Sequence, residues 1–214
     1  VKPQKKHRVF PEYYATEYAK RKVAIESRLQ DFLAIQEDVW FYEACYCILT
    51  PQSKAVNAEF VVNALKEQHF EYADLDPMPF LRNPEHYIRF HNQKSKNLLK
   101  LKEQFIEIKQ IIHDHRDQPL QLRDILTGKI RGFGMKESAH FMRNIGIFGP
   151  TILDRHILKH LLACGIKSAE KAPSSKNMYL KIEQDWLQYC DAVNITMESM
   201  DLLFWSIETG FILK

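Results

Sequence analysis

The sequence predicts an all-α fold, on three observations. Apolar residues recur at helical spacing along most of the chain, and no stretch alternates apolar and polar residues as a half-buried strand would. Prolines and Ser, Thr, Asp or Asn residues fall where the periodic stretches begin, which divides the chain into roughly ten helices. No internal repeat and no low-complexity segment interrupts this pattern.

In order, residues 1–9 are basic and aperiodic and predict an arm. Pro11 opens a first helix in its first turn, with Tyr14, Val23, Leu29, Phe32 and Ile35 as its apolar residues. Asp38 is suited to cap a second helix, Val39 to Leu49, which is apolar nearly all round and is therefore expected to be buried. Thr50-Pro51 ends it, and Ser53 caps a third helix to about Gln68. Residues 70–82 are acidic, contain Pro77 and Pro79, and read as a connector. Asn83-Pro84-Glu85 reads as a cap followed by a first-turn proline, opening a short helix. Leu98, Leu101, Phe105, Ile108 and Ile112 then form the stripe of a longer helix, which the polar stretch 113–119 ends. A short helix from Leu120 to Leu126 leads into a glycine-rich turn, followed by helices from about Met135 to Asn144 and from Thr151 to Ala163. Ser174-Ser175 precede a loosely periodic segment with Ile182, Trp186 and Tyr189. Thr196 caps a last helix that reaches Glu208, before Gly210.

Composition narrows the function class. With 45% hydrophobic and 27% charged residues, the 214-residue chain has the make-up of a soluble globular protein. A net charge of +3 excludes a general polycation, although basic residues cluster at Lys2, Lys5, Lys6 and Arg8, at Lys94, Lys96, Lys100 and Lys102, and at Lys129, Arg131, Lys136 and Arg143. Each cluster suits contact with phosphates, or equally a solvated helix face. Cys45, Cys47, Cys164 and Cys190 have no Cys-x-x-Cys spacing, so they predict neither a zinc site, nor an iron–sulfur quartet, nor a dense disulfide framework. Reduced thiols fit best. No apolar run is long enough to span a bilayer and the start is no secretory signal, so the expected location is the cytoplasm, in association with the nucleoid.

The chemistry concentrates in one stretch. Five of the seven glycines (Gly128, Gly132, Gly134, Gly146, Gly149) fall between positions 128 and 149. Gly132-Phe133-Gly134 between two helical patterns predicts a tight hairpin, able to offer backbone N–H groups to a phosphate at the positive end of the second helix. An ordinary αα-corner is the alternative. Lys136 at that helix start is electrostatically misplaced, and a residue that breaks a local rule is a functional candidate. The same placement favours the neutral amine, which is the nucleophilic form. Asp154 follows the Gly149-Pro150 break at or near the start of a helix, where it suits either chemistry or a simple cap.

These residues resemble the helix-hairpin-helix superfamily of DNA base-excision glycosylases. The closer likeness is to the archaeal and bacterial 8-oxoguanine DNA glycosylase/AP lyases. The likeness is carried by Gly132 to Gly146 (Gly-Phe-Gly-Met-Lys-Glu-Ser-Ala-His-Phe-Met-Arg-Asn-Ile-Gly) and by Ile152 to Lys159 (Ile-Leu-Asp-Arg-His-Ile-Leu-Lys). Leu49 to Ala55, Arg89 to Lys94, and the ending from Asp201 through Trp205 and Thr209-Gly210 to Lys214 also share in it. Together they cover most of the chain from about Ile48 onward. Phe133 departs from the small aliphatic residue such hairpins often carry.

The resemblance implies a single glycosylase unit, 1–214, of two helical lobes with the active site in the cleft between them. The N- and C-terminal helices would share one lobe, and roughly residues 50–130 would form most of the other. It implies Lys136 as nucleophile and Asp154 as its catalytic partner, with the Lys214 carboxylate and Trp205 recognising the base. Trp205 read alone is as well a core residue of the last helix. Gly132 and Gly134 would bind DNA through the hairpin. Gln52, at a helix break, would fill the gap left by an extruded nucleotide, or simply be an exposed loop residue. Arg89 and Lys94 would touch the DNA backbone.

The activity implied is excision of 8-oxoguanine followed by β-elimination at the abasic site. The implied partner is double-stranded DNA carrying 8-oxoguanine or an abasic site, and the protein would act as a monomer without cofactor or metal. A glycosylase for another oxidised base and a non-catalytic hairpin DNA-binding protein are the alternatives. His156 and His160 are four apart, but His-Ile-Leu-Lys-His lacks the glutamate of the zinc-protease motif, and His113-Asp114-His115 has no evident third ligand.

Overall fold

Ten α-helices and two short 3-10 turns account for the regular structure of the computed structural model, which describes residues 9–212; no strand occurs among them. The chain divides into two units. One is continuous, Ile35–Ile147, and the other joins the chain up to Ala34 with the chain from Phe148 onward.

The continuous unit is built around α2, Trp40–Leu49, all ten of whose residues are buried. It is wrapped by α3 (Ala55–Glu67), α5 (His91–His115) and α7 (Met135–Asn144), as its all-round apolar composition requires. α5 turns the expected stripe of Leu98, Leu101, Phe105, Ile108 and Ile112 inward. Phe105 meets Phe41 edge-on at 5.1 Å, and Phe41 in turn meets Phe70 at 5.8 Å. Each such buried side chain contributes about 1.5–3 kcal/mol of transfer free energy. The one acidic residue of α2, Glu43, is buried where it accepts a hydrogen bond from Asn144 Nδ2 of α7 at 3.0 Å. The helix α6, Pro119–Lys129, packs against both α5 and α7 and delivers the chain into the hairpin.

In the other unit α1 (Glu12–Leu33) lies on α10 (Met197–Thr209), which also packs on α8 (Arg155–Ala163) and α9 (Lys176–Val193). Trp186, Tyr189 and Phe204 are fully buried. The loop ahead of α8 is held by hydrogen bonds. Gly149 N–H donates to Glu198, Thr151 donates through N–H and hydroxyl to Glu183 Oε2, and the Tyr179 hydroxyl donates to the Thr151 carbonyl at 2.5 Å.

Several local expectations are corrected, some of them where a hydrogen bond overrides the local pattern. Asp38 caps no helix; it lies inside a 3-10 turn, Glu37–Val39, and α2 begins at Trp40 without a side-chain cap. Ser53 does not cap α3, because its hydroxyl accepts from the Arg89 backbone N–H and from Lys94. Asn83 initiates no helix. Its Oδ1 accepts the N–H of Glu85, a local turn that competes with helix formation. The expected connector 70–82 contains a short helix, α4, Met78–Leu81. Residues 151–153 are claimed by Glu183 and Tyr179, so α8 starts only after Asp154. On α1 the buried residues are Tyr14, Ile25 and Phe32, and Val23 is 81% exposed. The cap Thr196 and the stop at Gly210 occur as expected, and Ser175 caps α9 by accepting the Met178 N–H.

Candidate active site

The hairpin between α6 and α7 is a tight turn, with Phe133 N–H donating to the Ile130 carbonyl at 3.0 Å. Gly132 has φ +96°, and a Cβ there would lie 2.4 Å from Nδ2 of Asn97 on α5. Both conformation and space therefore demand glycine. Phe133, the bulky apex residue, is buried and packs edge-on against Phe141 of α7, centroids 5.9 Å apart. It anchors the turn to its own second helix. Gly134 occupies the N-cap of α7, and its N–H donates to Glu137 Oε2 at 3.1 Å. This is the carboxylate half of a capping box. The remaining first-turn amides of α7 have no acceptor within the helix.

Lys136 is the second residue of α7. Its Nζ lies 3.0 Å from Glu137 Oε1, with the lysine side chain 34% exposed. Glu137 thus offsets the charge that the helix dipole disfavours, and one carboxylate serves both the cap and the ammonium. Glu137 is a residue the sequence pattern did not single out. With glycine at the cap, the usual Ser/Thr-x-x-Glu signature is missing.

Lys94 belongs to the turn after α2 rather than to a free surface. It is buried, and its ammonium donates to the carbonyls of Leu49 (2.7 Å) and Pro51 (2.6 Å) and to Ser53 Oγ (3.2 Å). These three acceptors take all three of its donors, which corrects the expected direct contact with DNA backbone. Burial pulls its pKa down to about 8; the nearby charge of Lys136 acts in the same direction, and Glu137 opposes it. Gln52, in the turn so held, is exposed and adopts a left-handed conformation, φ +56°, uncommon for a side-chain-bearing residue. Arg89 is exposed, with its guanidinium 5.3 Å from the centroid of the Phe90 ring.

In the other unit Asp154 is the N-cap of α8. Oδ1 accepts the N–H groups of His156 and Ile157, both at 2.8 Å. Oδ2 accepts the indole N–H of Trp205 at 3.1 Å. Two residues predicted separately are thereby joined, across fifty positions of sequence. Trp205 is partly exposed rather than a core residue. His156 and His160 both converge on Glu208, at 3.2 Å from Oε2 and 3.0 Å from Oε1 respectively. Lys214, like the basic residues Lys2, Lys5, Lys6 and Arg8, lies outside the described residues.

Comparisons with known proteins point to one family. The family profile described as 8-oxoguanine DNA glycosylase matches residues 25–195. A Fusobacterium nucleatum protein named 8-oxoguanine DNA glycosylase/AP lyase is 35% identical, over 92% of this chain and 94% of its own. The crystal structure of the Methanocaldococcus jannaschii 8-oxoguanine DNA glycosylase superposes with a TM-score of 0.81 at 26% identity, covering 94% of this chain and 96% of that one. A second structure of the M. jannaschii enzyme, in complex with a 15mer DNA containing 8-oxoguanine, gives 0.80 at 26% identity over 93% and 98%. The fold is the helix-hairpin-helix glycosylase fold, and the chain belongs to the 8-oxoguanine DNA glycosylase family.

Proposed function

We propose that this protein excises 8-oxoguanine from double-stranded DNA and then cleaves the strand at the abasic site, using Lys136 as the nucleophile of both steps. The observation that carries the reading is an amine at the second position of the hairpin helix, in a chain of this family. A base inside a duplex is out of reach, so the nucleotide is flipped out, at a cost of a few kcal/mol. The hairpin at Gly132 and Gly134 and the first-turn amides of α7 hold backbone phosphate.

The neutral Lys136 amine attacks the sugar C1′. The C1′–N bond to the base breaks, and the base leaves with the electron pair and takes up a proton. The attacking nitrogen loses a proton, and the C1′–O4′ bond then breaks, O4′ taking the electron pair and a proton as the nitrogen forms the iminium. That iminium acidifies the C2′ proton. Its removal expels the 3′ phosphate by β-elimination, and water then releases the lysine. Asp154 accepts the amine proton or stabilises positive charge on the sugar. Trp205 and Lys214 recognise the base. Gln52, presented on a turn held by Lys94, occupies the gap left by the flipped nucleotide. Arg89 contacts the DNA backbone.

Borohydride reduces an iminium to a stable amine, so it should trap a covalent adduct between this protein and 8-oxoguanine duplex. Lys136→Gln should abolish trapping while retaining duplex binding. Undiminished trapping in that variant would show that another amine is the nucleophile.

A further inference from the structure

Three donors are aimed at the two oxygens of Asp154, and the helix accounts for only two of them. The cap of α8 uses Oδ1 alone, through the N–H groups of His156 and Ile157. The Trp205 indole N–H bonds the other oxygen, Oδ2. A helix cap requires no such bond. A carboxylate that must meet a proton or a cationic sugar does gain from a fixed second oxygen, since small errors in placement are costly in rate.

The indole is itself braced. The His156 ring packs edge-on against it, centroids 5.9 Å apart, and His156 Nδ1 lies 3.2 Å from Glu208 Oε2. The other oxygen of Glu208 takes the Lys159 ammonium at 2.6 Å and lies 3.0 Å from Nε2 of buried His160, off the line of a hydrogen bond. His160 is fixed on its far side by the Tyr14 hydroxyl, 2.7 Å from Nδ1. A continuous line of side-chain contacts therefore runs from α1 through α8 and α10 to the Trp205 ring. All of it lies within one unit.

We infer that Trp205 is a positioning residue for Asp154, and that Glu208 acts one step behind it by holding His156 against the indole. The inference rests on the proposed function, in which Asp154 acts at the sugar. It gives the edge of Trp205 a task distinct from any contact its face makes with the base. A side chain that only reads the base is idle once the base is gone. One that orients Asp154 is needed wherever Asp154 is.

Single-turnover rates on duplexes carrying 8-oxoguanine or a pre-formed abasic site separate the two roles. Asp154→Asn supplies the reference pattern, Trp205→Phe keeps an aromatic ring but removes the donor, and Glu208→Gln keeps the shape but alters the brace. Trp205→Phe should reproduce the Asp154→Asn pattern across the two substrates in weaker form, with rates about tenfold below wild type and duplex affinity unchanged, as for a lost hydrogen bond to a charged group. Glu208→Gln should show the same pattern with a smaller loss. A Trp205→Phe loss confined to 8-oxoguanine, where Asp154→Asn loses both activities, would overturn the inference, as would wild-type rates in Trp205→Phe. Should thermal melting show Trp205→Phe unfolded, Glu208→Gln decides, and wild-type rates there would overturn the inference. Wild-type rates in Asp154→Asn would be a different failure, that of the role proposed for Asp154.

Discussion

Glu137 Oε1 stands 3.0 Å from the Lys136 ammonium. Its second oxygen accepts the Gly134 N–H, so the residue beside the proposed nucleophile also holds the hairpin helix at its cap. Replacing Glu137 by Ala should therefore lower stability by about 1 kcal/mol, the value of a lost cap, because Gly134 offers no side chain to take its place. Urea denaturation measures this. Borohydride trapping should persist, since the amine itself remains; a variant that folds but cannot be trapped would give Glu137 a chemical role.

Gly132 carries two demands at once, a left-handed φ and contact with Asn97. Asn97 cannot simply swing aside, because it is buried and its Oδ1 accepts from Gln93 at 2.9 Å. Gly132→Ala should cost about 1–3 kcal/mol and weaken duplex binding. Adding Asn97→Ala should recover only part of that loss, as it relieves the clash but leaves the backbone strained. Full recovery would mean that the positive φ is immaterial.

Lys94 predicts a pH dependence of known sign. Its pKa falls from an ordinary 10.5 to about 8 on folding, chiefly through burial. Between those values the unfolded chain binds the proton that the folded chain has released, so stability contributed at this site rises as pH goes from about 8 to about 10.5. Comparing urea midpoints of the wild type and Lys94→Met across that window cancels titrations elsewhere. The wild type should gain relative to the variant as pH rises. Lys94→Met should also be less stable at neutral pH, since the carbonyls of Leu49 and Pro51 lose their donor.

Tyr14→Phe should lower stability by about 1 kcal/mol, because His160 Nδ1 is buried with that hydroxyl as its partner. Burial lowers the pKa of His160, and the Lys159 hydrogen bond lowers that of Glu208. His160 therefore costs stability as pH falls below its ordinary 6.5, where the unfolded chain takes up the proton first, and Glu208 does so as pH falls below 4.5. Acid denaturation of His160→Phe should lose the first of these two components.

Features set by one segment were legible in the sequence. The stripe on α5 and the all-round burial of α2 follow from apolar spacing alone, and α7 runs over the expected residues because glycines bound it at both ends. Some expectations failed where a distant partner claims a polar group. Ser53 is a good cap by type, yet Lys94 and the Arg89 amide take its hydroxyl. Lys94 reads as one more surface lysine in a basic run, and only the carbonyls of the α2 terminus draw it inside. At the site, Lys136 and Asp154 stand out locally, one against a helix dipole and one before a helix. Glu137 is hidden by its glycine cap. The bond from Trp205 to Asp154 spans a separation that no local spacing rule can detect.

The division of the chain sets an order of assembly during synthesis. The unit Ile35–Ile147 is continuous and holds its own core, so it can fold once its last residue clears the ribosome. α1 emerges earlier, but the helix it packs on, α10, does not begin until Met197. At ordinary translation speeds that interval is on the order of ten seconds. Throughout it, Tyr14, Ile25 and Phe32 face water or a chaperone, and a nascent chain stalled before α10 leaves them uncovered. A helix made well before its partner is thus among the last to be docked.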